Sequence, residues 1–216
     1  DGELLGTSPR FEESLLVVDI DAAALEHSRL QHQSFAISQD ELDSIGQPSN
    51  IDITVGSSPK RPKLQDLSIH RLDRLEAVYR ALVLGTRDYL KKTGFKKVAI
   101  AVSGGIDSAI VTAIAVDAIG ADNIVGVALP SRYSSPGSIT DAEDLCTRLG
   151  IELWKIHIEP GHSAFEEMLG DVFEGTEPGL SEENTQSRVR GNIMMSIANK
   201  FGWLILTTGN KSEMAT

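Results

Sequence analysis

Four short apolar runs alternate with helical stretches in the second half of the chain, and this alternation restricts the fold more than any other feature. The runs are Val98–Val102, Ile124–Leu129, Leu153–Ile158 and Leu204–Thr207. Between them lie Ser108–Ile119, Ile139–Leu149, and the pair Ser163–Phe173 and Glu182–Lys200, each of helix-forming composition. Strands separated by helices predict a parallel sheet, because each crossover must return over a face of the sheet before the next strand can start in the same direction. The expected architecture is an α/β three-layer sandwich with a mostly parallel, Rossmann-like sheet. One more helix is expected over Leu67–Lys92, where Leu72, Leu75, Val78, Tyr79, Leu82 and Leu90 recur at helical spacing ahead of Gly94. Ligands of such sheets sit beyond the carboxyl ends of the strands, so the loops after Val102 and after Thr207 are expected to meet over one ligand.

The first of those loops carries the strongest chemical signal. In VAIAVSGGIDS, Val98 to Ser108, an apolar strand breaks at once into Ser103-Gly104-Gly105-Ile106-Asp107-Ser108 and then into a helix. Two glycines remove the Cβ atoms that would keep a polyanion away from backbone N–H groups, and the helix N-terminus adds partial positive charge. The lysine of the GxxxxGK[ST] loop is missing, so this is not that motif. Two serine hydroxyls can donate to phosphate oxygens, whereas the Asp107 carboxylate would repel them unless a divalent cation lay between. The order of residues therefore points to a pyrophosphate held with Mg²⁺. The bland alternative is an ordinary Ser-Gly-Gly turn with Asp107 at a helix start.

Two further segments bear polar side chains at useful spacing. TTGNKSE, Thr207 to Glu213, places Thr208 and Glu213 just after a strand, where Glu213 would be a second acidic ligand or else a surface carboxylate. EENTQSRVR, Glu182 to Arg190, opens a helix with Ser181 as the expected N-cap, and Asn184 and Arg188 share one face of it. An amide beside a guanidinium suits a carboxylate-bearing ligand, the alternative being a solvated face. Arg190, two residues beyond Arg188, is expected to point elsewhere and to be structural. The Ser-, Pro- and Gly-rich LPSRYSSPGS, Leu129 to Ser138, reads as a loop near the same edge. His157 and His162 flank Glu159-Pro160-Gly161 and read as loop residues without a base or metal partner.

Composition excludes several classes. A formal charge of −11 disfavours a nucleic-acid partner, and Lys60, Arg61 and Lys63 make only a short basic run in a Pro-rich stretch. One cysteine, Cys146, allows no internal disulfide, fits an unstapled cytoplasmic protein, and reads as a small buried hydrophobe in DAEDLCTRLG. No apolar run reaches membrane-spanning length, and DGELLGTSPR is unlike a signal peptide. A start without methionine, in what reads as mid-domain, is expected of a piece of a longer chain. Glu13 to Asp21, ESLLVVDID, reads as one short buried strand, followed by the helix-forming AAALEHSRLQHQ. From Ser34 to Pro62, Ser, Pro, Gln, Asp and Gly accumulate without periodicity apart from the brief IDITV alternation at Ile51 to Val55, as in a linker.

SGGIDS resembles the pyrophosphate loop of the N-type ATP pyrophosphatases, which adenylate a carboxylate or carbonyl and let a nitrogen or sulfur nucleophile displace AMP. LPSRYSS, NTQSRVRG and FGWLILTTGNKSEMAT, with that loop and in that order, are similar to the glutamine-dependent NAD⁺ synthetases, from about Leu67 to the last residue. The resemblance implies ATP-dependent amidation of deamido-NAD⁺ to NAD⁺ through an adenylated intermediate, with ammonia drawn from glutamine. It implies ATP contacts at Ala101, Val102, Ser103, Gly104, Gly105, Ile106, Asp107, Ser108 and Thr208. Deamido-NAD⁺ contacts are implied at Asn184, Arg188 and Glu213, with Asp107 and Glu213 the catalytic, Mg²⁺-holding pair. Ammonia-using relatives tend to carry an arginine where Ala128 stands, so no adenine contact is carried to that position. Residues 1–21 are similar to the end of a nitrilase-like amidase domain, which makes 22–66 an interdomain linker and 67–216 a synthetase domain truncated at its C-terminus. A cytoplasmic homo-oligomer acting on small molecules, without nucleic-acid or membrane partners, is the corresponding expectation. Its rivals are another amidating adenylyltransferase of the same superfamily and a nucleotide-binding fragment without turnover.

Overall fold

The computed structural model describes residues 4–31, 38–45, 51, 71–177, 179–210, 212 and 215. The chain forms two compact units, Asp1–Asp73 and Arg74–Thr216.

In the first unit, the expected strand over Glu13–Asp21 is not formed. Leu15 is 88% exposed, and Leu16, Val17 and Ile20 are exposed with it. An isolated apolar run has no ladder to join, and a strand without a neighbour leaves its N–H and C=O groups unpaired. Asp21 instead starts a helix, α1 (Ala22–Gln31), its Oδ1 accepting from Ala23 N at 2.9 Å and Ala24 N at 3.3 Å. The expected linker holds α2 (Gln39–Ile45), which begins with a reciprocal cap. Ser38 Oγ accepts from Glu41 N at 3.3 Å, and Glu41 Oε2 accepts from Ser38 N at 3.0 Å. The IDITV alternation lies outside the described residues except Ile51.

The second unit is the expected α/β sandwich. Its elements run α3 (Arg74–Thr93), β1 (Val98–Ala101), α4 (Ile106–Ile119), β2 (Ile124–Ala128), α5 (Pro136–Leu149), β3 (Glu152–Lys155), α6 (Glu159–Leu169), α7 (Leu180–Phe201) and β4 (Leu204–Leu206). All three strand pairings are parallel, in the order β3-β2-β1-β4, with Val98 opposite both Ile124 and Leu204. Side chains alternate across β1. Val98 and Ile100 join Leu90, Ala115, Ala142 and Cys146 of α3, α4 and α5 on one face. Ala99 joins Val189, Met194 and Ile197 of α7 on the other. Gly126 of β2 lets α5 approach closely, since a Cβ there would stand 3.0 Å from Cys146 Sγ. Cys146 is thus the buried small hydrophobe expected of it, and burial pushes its thiol pKa up.

Helix starts depart from expectation. α3 begins at Arg74 directly after Asp73 rather than at Leu67, so Leu72 precedes it. α5 begins at Pro136 because Ser135 Oγ caps it, accepting from Ser138 N at 3.1 Å, with proline in the first turn where no N–H is needed. α6 begins at Glu159, four residues early, because Pro160 fits its first turn in the same way. α7 is preceded by Gly179, whose N–H donates to Glu182 Oε2 at 2.6 Å, so Ser181 is inside the helix and not its cap.

Candidate active site at the ends of β1 and β4

Because β2 lies on one side of β1 and β4 on the other, the chain leaves β1 and β4 toward a topological switch point, the place where open α/β sheets hold ligands. The two loops meet there. Asn210, after β4, donates from Nδ2 to Asp107 Oδ2 at 3.2 Å. Beside them opens a cleft of about 590 Å³ whose walls include Ala101, Val102, Ser103 and Thr208. Four of the nine expected ATP-site residues therefore line one cavity, and Asp107 touches the loop opposite. Glu213 lies outside the described residues.

The turn itself is wired before any ligand arrives. Ser108, buried at the start of α4, donates from Oγ to Gly105 O at 2.9 Å and accepts from Ser103 N at 3.3 Å. Ser103 Oγ accepts from Gly105 N at 3.3 Å and lies 3.3 Å from Ser108 Oγ. No side chain caps α4, so its first N–H groups keep their partial positive charge at the cleft. Gly104 has φ +80°, and a Cβ on it would fall 2.4 Å from Ser138 O, so neither the backbone nor the space admits a side chain. Gly105 is extended, and a Cβ there would meet only Ser103 Oγ at 3.4 Å.

Helix α7 forms the opposite wall. Gly191 and Met195 line the cleft, and Asn184 and Arg188 stand seven and three residues before Gly191 on the same helical stripe, both exposed. They extend the stripe away from the cavity instead of lining it. Arg190 is the residue sequence reasoning missed. It borders the cleft, its Nε donating to Leu129 O at 3.2 Å and its Nη2 reaching Ser131 Oγ at 3.5 Å, and burial lowers its pKa. Its signal was a cation set among Val189, Ile193, Met194 and Ile197, on the side of α7 that must face the sheet.

A second polar centre lies beside α6. His162 is inside that helix and 1% exposed, not in a loop, with Nδ1 3.6 Å from Glu166 Oε1 and Nε2 unpartnered among the described residues. Glu159, His162 and Glu166 bring donor atoms within 4.8 Å of one another. Arg132 already binds both carboxylates, so a cation there would face a resident positive charge. His157 stays in the β3–α6 loop as expected, on an open hollow of about 710 Å³ between α6 and α7. Hydrogen bonding from Arg132 drops the Glu159 pKa from its ordinary 4.5 to about 2. That bond is present above the ordinary value and lost as pH falls toward about 2. Carbon-13 NMR titration of the Glu159 carboxyl should give a midpoint near 2, and Arg132→Ala should return it toward 4.5.

A doubly wound parallel sheet with a glycine turn at its switch point defines a nucleotide-type α/β protein, and its solved neighbours include NAD⁺ synthetases. The sequence profile of the NAD synthase family matches residues 78–216, and the chain belongs to that family. It is 41% identical to the glutamine-dependent NAD⁺ synthetase of Thermotoga maritima, over 100% of this chain and 37% of that protein. It is 47% identical to that of Rhodobacter capsulatus, over 100% of this chain and 33% of that protein. A solved glutamine-dependent NAD⁺ synthetase from Acinetobacter baumannii, in complex with ADP, superposes with a TM-score of 0.67 at 41% identity, covering 68% of this chain and 28% of its own. The chain thus spans about a third of the length of the curated relatives it matches. No helix among the described residues is long and apolar enough to cross a membrane.

Proposed function

We propose that this chain carries the synthetase chemistry of a glutamine-dependent NAD⁺ synthetase. The nicotinate carboxylate of deamido-NAD⁺ attacks the α-phosphorus of ATP, the bond to the bridging oxygen breaks, and pyrophosphate leaves. Ammonia then adds to the activated carbonyl and loses a proton, and AMP departs to leave the amide. The observation that carries this reading is the meeting of Asp107 with Asn210 at the mouth of the cleft bounded by Ser103 and Thr208. That the A. baumannii relative was solved in complex with ADP supports nucleotide binding by this chain.

In this reading Ser103–Ser108 and the N–H groups of α4 hold the pyrophosphate of ATP, Ala101, Val102 and Thr208 bound the nucleotide, and Asn184, Arg188 and Glu213 contact deamido-NAD⁺. The chain needs no covalent nucleophile, because holding two anionic reactants in contact supplies much of the rate. Asp107 is exposed, and it belongs to no described group of three His, Cys, Asp or Glu donors. Such a donor fits Mg²⁺ shared with substrate phosphates better than an all-protein cage. Asp107 and Glu213 would hold that ion, which would supply charge neutralisation for the departing pyrophosphate. Residues 1–21, 22–66 and 67–216 are assigned as amidase end, linker and synthetase domain, with ammonia supplied from glutamine by the amidase.

The test is NAD⁺ formation by the full-length protein with ATP, Mg²⁺, ammonia and varied deamido-NAD⁺, beside Asn184→Ala and Arg188→Ala. Losing a partner of a charged substrate group costs about 1.5–3 kcal/mol, so kcat/KM for deamido-NAD⁺ should fall roughly tenfold or more in each variant. ATP affinity should hold. A kcat/KM within about twofold of wild type in both variants makes the stripe structural and reopens the choice among amidating synthetases.

A further inference from the structure

We propose that Arg132 is a positioning residue for the nucleotide cleft: it fastens the loop between β2 and α5 to α6 and so sets the wall that faces the glycine turn. The inference rests on the nucleotide reading given above and concerns how that same site is held.

The loop, residues 129–135, is tied on two sides. Toward α7, Leu129 O and Ser131 Oγ meet Arg190, as described. Toward α6 the tie is Arg132. Glu159 Oε2 accepts from the Arg132 backbone N–H at 3.2 Å while Glu159 Oε1 accepts from Arg132 Nε at 2.6 Å. One carboxylate therefore grips the main chain and the side chain together. Arg132 Nη2 donates to Ser163 Oγ and to Glu166 Oε2, each at 3.1 Å. Isolated surface ion pairs stabilise little, but a planar guanidinium shared between two carboxylates and a hydroxyl restricts orientation as a single pair cannot. The network is 34–44% exposed. Its loss should uncover little apolar surface, so its effect should fall on local order.

What the loop carries is the cleft. Pro130 and Ser134 line it, Ser131 N donates to Ser134 Oγ at 2.9 Å, and the segment runs through the Ser135 cap into Ser138, whose carbonyl packs on Gly104. A chain of contacts thus leads from the α6 acids through Arg132 to the phosphate turn. Once Arg132 is removed, the loop must be ordered by the nucleotide, and apparent affinity falls by the fraction of molecules already in the binding arrangement.

The experiment compares full-length wild type with Arg132→Ala, Arg132→Lys, Glu159→Gln and the double variant Arg132→Ala/Glu159→Gln. Chymotrypsin cleavage after the exposed Tyr133, mapped by mass spectrometry without nucleotide, should speed up about tenfold in Arg132→Ala, with Kd for Mg-ATP by calorimetry and KM for ATP raised about as much. Saturated kcat, KM for deamido-NAD⁺ and Tm should stay near wild type. Lysine keeps the charge but not the fork, so it should recover only part of the ATP affinity. The double variant should be no worse than Arg132→Ala, because both changes cut one link. ATP affinity and Tyr133 cleavage within about twofold of wild type in Arg132→Ala would overturn the proposal. So would a fall in kcat and Tm that matches the loss of affinity. Cleavage and calorimetry need no turnover, so absence of NAD⁺ formation would sink the functional reading alone.

Discussion

Alanine at position 104 is expected to weaken ATP binding by at least an order of magnitude and to lower the stability of the unit Arg74–Thr216 by about 2–4 kcal/mol. About 1–2 kcal/mol follows from forcing a residue with a Cβ into the left-handed region that Gly104 occupies at φ +80°. The remainder comes from the new carbon, which would overlap the Ser138 carbonyl at 2.4 Å and push the start of α5 away from the turn. Gly105→Ala is the control. Its backbone is extended and its Cβ would touch only Ser103 Oγ, so thermal unfolding should hardly change. Thermal melts and calorimetry on both variants decide the matter, and equal behaviour of the two would refute the geometry assigned to the turn. If Gly105→Ala keeps its stability and still loses ATP, the phosphate approaches the backbone at that residue.

Asp107→Ala should slow pyrophosphate release by about three orders of magnitude, since a group that helps neutralise a leaving phosphate supplies several kcal/mol to the transition state. The fold should survive, because Asp107 is exposed and its side-chain contact among the described residues is the bond from Asn210. Asp107→Asn separates charge from shape. The amide oxygen can still accept from Asn210 while the negative charge is gone. Loss in both variants assigns the role to charge, and recovery in Asp107→Asn would show that the contact between the two loops is what matters.

The sheet was legible because three of its four described strands, β1, β2 and β4, are apolar runs, and all four are separated by helical spacing, a local pattern the chain cannot conceal. Strand lengths differ from expectation only at their ends, and Val102 illustrates why: its N–H still bonds Val127 O at 2.9 Å after β1 has formally ended. ESLLVVDID misled because a strand exists only with a neighbour, and apolar composition does not say whether a neighbour is there. Two helices start ahead of expectation, at Pro136 and at Glu159, because a proline that reads as loop in the sequence occupies the first turn of each. The capping signature Ser38-x-x-Glu41 sits in a stretch whose composition otherwise shows no periodicity, which masks the short helix it starts. At the site, the glycine turn could be found because its requirement is local. Arg132 could not, since its partners stand 27 to 34 positions away and only the packing of α6 brings them to the loop.

The central place of β1 has a consequence for how the molecule is made. One neighbour, β2, follows it directly and the other, β4, comes about a hundred residues later, so a nascent chain can zip β1 to β2 early and must then wait for Leu204 to reach Val98. Until that pairing closes, β1 offers a bare edge of backbone N–H and C=O groups flanked by apolar side chains, a template for another chain. Late, long-range closure of this kind slows folding. The half-built sheet would already hold the glycine turn but not Thr208 or Asn210. During synthesis, then, β1 keeps a bare edge until β4 is laid down, and the same act brings Thr208 to the cleft.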